Sequence, residues 1–102
     1  MFLGLKAGRV SKRDLLCISR AVEGRRKRLG RALGVSDDEI DTLVEQNRWD
    51  VPEQSYKILQ KWDQMKGSEA TYNALAQALL DRTVMMTAVM EEYCLDPEKK
   101  QK

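Results

Sequence analysis

The sequence predicts an all-α bundle of six short helices, and three observations carry that reading. Helix-favouring residues dominate, with only 6 Gly and 2 Pro in 102 positions. Apolar residues recur three and four positions apart, in segments bounded by capping residues or glycines. No Asn-Gly or similar dipeptide joins two alternating runs and β-branched residues never cluster, so strands have no footing. A chain of this length holds one core. The expected division is a lead-in over residues 1–10, a folded domain over 11–95 and a flexible charged tail over 96–102.

Each element follows from its own punctuation. Residues 1–10 contain two Gly and no sustained period. Segment one, over 11–22, has Ser11 as N-cap and an apolar stripe at Leu15, Ile18 and Val22. Gly24 interrupts it. Segment two, over 25–33, runs from Arg25-Arg26-Lys27-Arg28 into Leu29, Ala32 and Leu33, and stops at Gly34. Segment three opens on a capping box, Ser36-Asp37-Asp38-Glu39, whose three acids also suit the positive end of the helix dipole. Ile40, Leu43 and Val44 form its apolar face and Asn47 ends it. Segment four repeats the device with Asp50 as cap, Pro52 in the first turn and Glu53 three residues on. Its stripe is Val51, Ser55, Ile58, Leu59, Trp62 and Met65, closed by Gly67. Segment five starts after Ser68 and places Thr71, Ala74, Leu75, Ala78 and Leu79 on one face. Segment six, over 83–94, presents Met86, Val89, Met90 and Tyr93. Pro97 and the charged residues after it read as a frayed tail.

Composition removes several functions. The chain has no His, which excludes imidazole bases, His-based triads and the usual zinc ligands. Two cysteines, Cys17 and Cys94, cannot build a disulfide framework or a four-thiolate metal site, and buried inert thiols are the default for both. No apolar run approaches the roughly 20 residues of a membrane helix, and Met1-Phe2-Leu3-Gly4-Leu5 is too short for a signal-peptide core. No glycine-rich phosphate loop, nucleophile elbow or metal-spaced cluster is present. The expectation is a small, reduced, intracellular, non-catalytic domain with no cofactor, no small-molecule substrate and no membrane insertion.

Charge is the informative property. A net charge of +2 conceals segregation: residues 1–34 carry ten Lys/Arg against two acids, whereas residues 35–55 carry seven acids against Arg48. Two surfaces of opposite sign steer and orient partners. The run Arg25-Arg26-Lys27-Arg28, with Arg20 and Arg31 nearby, also admits an alternative, a basic helix that enters a nucleic-acid groove. The acidic segment beside it repels phosphate, and a recognition helix opens on Asn, Gln or Arg rather than clustered Asp. Trp62 belongs to the core. Trp49, between segments three and four, either caps the core edge or stands exposed as a contact anchor. The methionines of segment six read as core filler before they read as a plastic groove.

Against that background, Leu33-Gly34-Val35-Ser36-Asp37-Asp38-Glu39-Ile40-Asp41, followed by Asn47, Glu53-Gln54, Leu59, Trp62, Gly67, Ala70-Thr71, Leu75 and Ala78-Leu79, resembles a death domain. The likeness runs from about Asp14 to Tyr93 and is nearest to death receptors of the tumour-necrosis-factor and Fas type and to the Fas-associated adaptor. It implies an antiparallel six-helix bundle of Greek-key topology. It also implies cytoplasmic, homotypic association in apoptotic signalling, with other death-domain proteins, whether receptor tail or adaptor, as partners and with self-association. The family's partner-binding charges on helices two and three fall on Arg25, Arg26, Arg28 and Arg31, opposite Asp37, Asp38, Asp41 and Glu45, with Trp49 nearby. The family often has a tryptophan early in helix two where this chain has Arg26. Either helix two turns outward here or Trp49 packs in from the neighbouring loop.

Overall fold

The computed structural model describes residues 4–96, so residues 1–3 and all but Asp96 of the tail expected over 96–102 lie outside it. Six α-helices follow in order: α1 (Lys12–Ala21), α2 (Arg26–Ala32), α3 (Asp37–Gln46), α4 (Val51–Lys66), α5 (Tyr72–Leu79) and α6 (Thr87–Tyr93). Short 3₁₀ turns over Glu23–Arg25 and Gly67–Glu69 precede α2 and follow α4. The caps form as their residues dictate. The Ser36 hydroxyl accepts from the Glu39 amide at 3.2 Å while the Glu39 carboxylate accepts from the Ser36 amide at 3.3 Å. Ser11 accepts from the Asp14 amide and Asp50 from the Glu53 amide, both at 3.1 Å.

Helix α4 is the central strut. It packs against α1, α2 and α3, while α6 closes on α1 and α5, and α5 reaches α2. Non-sequential contacts of this kind make the antiparallel Greek-key bundle that the resemblance implies. Trp62 sits at its middle with Leu15, Ile18, Leu29, Ile40, Ile58, Leu59, Leu75 and Leu79, all essentially buried. Gly30 lets α2 lie close: a Cβ there would come within 2.8 Å of Ile58 Cγ2 and 3.0 Å of Ile40 Cδ1. Met90 is core and Met86 is half-buried, the filler role expected of them.

Three sequence expectations are corrected. Val51 and Met65 do not belong to the buried stripe; they are 38% and 42% exposed. A 16-residue helix is longer than the 10-residue α1 and α3 beside it, so its two ends run past their cover. Segment five begins at Tyr72 with Thr71 as cap, because the 3₁₀ turn takes the residues after Gly67. Segment six begins only at Thr87, because Asp81 turns the chain first: its carboxylate accepts from the Thr83 amide at 2.9 Å and hydroxyl at 2.7 Å.

Residues before α1 also do more than lead in. Leu5 bridges to Leu95 and Arg9 to Thr71. The Lys6 amide donates to the Cys94 carbonyl at 2.8 Å and the Val10 amide to the Ala70 carbonyl at 2.9 Å. Their side chains finish the clasp: Arg9 holds both oxygens of buried Asp63 at 3.0 and 3.1 Å, and Lys6 meets Asp14 at 2.9 Å. Cys94 is fully buried, which pushes its thiol up to about 11, and Cys17 is half-buried; both are free.

Candidate protein-interaction surface

The basic run spans the 3₁₀ turn and the first turns of α2, so its side chains fan around a tight bend. Arg25, Arg28 and Arg31 are exposed and Arg26 is half-buried. They do not act alike. Arg25 donates across the bundle to the Val84 carbonyl at 2.7 Å and the Met85 carbonyl at 3.4 Å. Arg26 donates to the Gln54 side-chain oxygen at 3.0 Å and the Glu23 carbonyl at 2.8 Å. Arg28 has no ion pair among the described residues, and it borders a hollow with Arg31, Ala32, Asp81 and Thr83.

The acidic surface is the outward side of α3. Asp37, Asp38, Asp41 and Glu45 are all exposed, because Ile40, Leu43 and Val44 take the inward side. Since α2 packs beside α3, the two surfaces adjoin, and Arg31 meets Asp37 across the seam at 2.7 Å. Glu45 pairs with Arg48 at 3.6 Å. Asp38 and Asp41 have no ion pair among the described residues. Glu39, on the same helix, is held below the usual carboxylate range by the Ser36 amide and hydroxyl, with Lys61 at 3.4 Å adding to it. Asp38, Glu39, Thr42, Leu43, Gln46 and Lys61 line a groove between α3 and α4.

Trp49 does not fill the space left by Arg26. It stands 92% exposed in the α3–α4 loop, with the Arg48 guanidinium 5.7 Å from its ring. The first reason is the loop's own wiring: the Gln54 side-chain nitrogen donates to the Asn47 carbonyl at 2.9 Å and the Arg48 carbonyl at 3.3 Å, fixing the bend with Trp49 outward. The second is that Arg26 occupies the inner position itself, its guanidinium donating to the Gln54 side-chain oxygen and the Glu23 carbonyl. So the nine residues expected on the surface fall into two sets. Arg28, Asp38 and Asp41 are exposed without an ion pair among the described residues and Trp49 is exposed with Arg48 on its ring, whereas Arg25, Arg26, Arg31, Asp37 and Glu45 hold polar contacts within the chain.

Sequence reasoning passed over two residues here. Arg48 reads as a lone cation in an acidic stretch, and only its place before Trp49 hints at stacking. Met85 reads as an ordinary position ahead of the Met86 stripe, yet it is 69% exposed with φ +52°. The Asp81-Arg82-Thr83 turn signal was available to stop the helix short of it.

The sequence model of the death-domain family matches residues 14–91, from the first turn of α1 into α6. No curated protein matches the chain significantly. The family match and the six-helix bundle agree over the larger part of the sequence. This chain belongs to the death-domain family, whose members are protein–protein interaction modules of death signalling.

Proposed function

We propose that this chain is a cytoplasmic, non-catalytic module that joins other death-domain proteins, its own copies among them, in apoptotic signalling at a death receptor or its adaptor. Its basic α2 surface meets the acidic α3 surface of the next molecule. The observation that carries this reading is the adjoining of two oppositely charged exposed surfaces, each retaining open charges: Arg28 on one, Asp38 and Asp41 on the other. Contacts between unlike surfaces are head-to-tail and need not close, so chains of molecules can grow. Each contact is small and weakened by salt, and clustering supplies the effective concentration that assembly needs.

The same observations weigh against the nucleic-acid alternative. Arg25, Arg26 and Arg31 spend hydrogen bonds within the chain, and Asp37 sits 2.7 Å from the last of them. Phosphate contacts need several open cations side by side.

Head-to-tail geometry gives a distinctive test. Light scattering after size exclusion, at rising concentration and low salt, is expected to show mass growing for the wild-type chain and collapsing in high salt. Arg28→Glu removes one surface and Asp41→Lys the other, so each variant alone stays monomeric. Mixed together, each lends its intact surface and the mixture stops at a 1:1 dimer. Assembly that survives both substitutions overturns the charged-surface account.

A further inference from the structure

The α5–α6 loop displays an apolar side chain at a cost to the backbone. Met85 is the non-glycine residue with positive φ among the described residues, at +52°, a region that L side chains rarely adopt. A dense set of hydrogen bonds keeps it there. The Val84 and Met85 amides both donate to the Asp81 carbonyl, at 2.9 and 2.8 Å, and the Met86 amide to the Leu79 carbonyl at 2.8 Å. Arg25 clamps the outer side through the Val84 and Met85 carbonyls. Val84 fills the core beneath, only 1% exposed, so the turn is anchored while the Met85 side chain stands 69% exposed above it. Strain held so firmly, in service of an exposed apolar group, points to use. The surrounding charge is mixed but mainly positive: Arg25 and Arg82 beside the loop, Arg28 and Arg31 across the hollow, and Asp81, whose carboxylate is taken up by Thr83.

The groove between α3 and α4 is the complement. Leu43 lines it together with Thr42, Gln46 and the charged Asp38, Glu39 and Lys61. Glu39 is already held by Ser36 and Lys61, which leaves Asp38 to receive a cation. A methionine side chain is unbranched and adapts to a shallow apolar groove. Knob and groove belong to different elements and both are open.

We infer that Met85 is an apolar anchor by which one copy of this chain docks head-to-tail into the α3–α4 groove of a second copy, with Arg28, across the hollow from the anchor's loop, meeting Asp38 in the groove's lining. The inference rests on the charged-surface reading and adds the apolar contact that charge alone does not supply. The anchor fixes register, while the charges steer approach.

Two experiments on the full chain test it. Met85→Gly keeps the turn, since glycine takes positive φ freely, and removes the knob. Sedimentation equilibrium is expected to show self-association weakened by about tenfold or more. The melting temperature is expected to stay level or rise. Unchanged association with a lower melting temperature assigns Met85 a purely structural part and overturns the anchor. In the second experiment, Met85→Cys and Gln46→Cys are made separately in a Cys17→Ser background and oxidised with oxidised glutathione. Mixed, they are expected to give a disulfide-linked heterodimer, and neither links to itself. If Arg28→Glu abolishes assembly while Met85→Gly and cross-linking have no effect, the anchor fails and the charged surfaces stand. If cross-linking succeeds while Arg28→Glu and Asp41→Lys assemble normally, the charged-surface reading fails and the anchor stands. A wild-type chain that stays monomeric at every concentration overturns docking between copies and leaves a different death domain as the partner.

Discussion

Arg26 stands where the resemblance leads one to expect a tryptophan, and it shows how a single charge can be built into a bundle. Its guanidinium reaches Gln54, 28 positions away, and Gln54 in turn ties down the Asn47 and Arg48 carbonyls. One arginine thus secures the loop that presents Trp49. Arg26→Ala strips the buried Gln54 oxygen of its donor, and a stranded acceptor of that kind costs on the order of 1–2 kcal/mol. Urea unfolding is expected to shift to a lower midpoint with an unchanged slope. An unchanged midpoint would mean water replaces the guanidinium without loss. The sequence marks position 26 as anomalous but does not reveal Gln54, because nothing local links residues that only the α2–α4 packing brings together. Trp49 was similarly open in the sequence: a tryptophan beside an acidic helix reads equally well as cap or anchor until the loop's hydrogen bonds are known.

At the scale of elements, legibility follows the range of the interaction. Caps are local, so Ser11, Ser36 and Asp50 place their helix starts correctly from sequence alone. The starts of α5 and α6 are set by a 3₁₀ turn and by the Asp81 turn, which compete with helix over the same residues, and periodicity alone puts both too early. Helix packing is longer in range and less legible still. Gly30 looks like a weak point in α2, since glycine within a helix costs about 0.5–1 kcal/mol relative to alanine. Its position makes it a contact instead. Gly30→Ala drives a methyl toward the buried side chains of Ile58 and Ile40. Overpacking of this kind costs roughly 1–3 kcal/mol, which exceeds the propensity gain. The net expectation is a loss of about 1 kcal/mol and a fall of roughly 4–8 °C in melting temperature, read by circular dichroism. A rise would show that α2 can back away from α4 without penalty.

Over the whole molecule, the residues before α1 are tied to α1, and α1 to α5, by groups that titrate, and stability should carry their signature. Burial pushes the Asp14 carboxyl up, but the Tyr72 hydroxyl at 2.6 Å and the Lys6 ammonium at 2.9 Å outweigh it, and the net shift is down. Burial likewise pushes Lys6 down, and its pairing with Asp14 reverses that to a net rise. A carboxylate depressed by folding stabilises the native state above its ordinary value of 3.8, and that share is lost as pH falls through the folded value. A raised ammonium behaves in the opposite sense: its share is whole below 10.5 and is lost as pH rises through the folded value. The clasp is therefore complete across the neutral range and opens from the acid side through Asp14. Asp14→Asn keeps the size and one acceptor but removes the charge, so wild type should exceed the variant in stability at pH 6. That gap should shrink as pH falls below 3.8 and close once pH passes the lower folded value, where native wild-type Asp14 is protonated and neutral as well. Denaturant midpoints of the two proteins at each pH measure the gap directly. A gap that stays constant with pH would place the contribution of Asp14 in packing rather than charge, and the N-terminal residues would then be held mainly by their backbone bridges to Thr71 and Leu95.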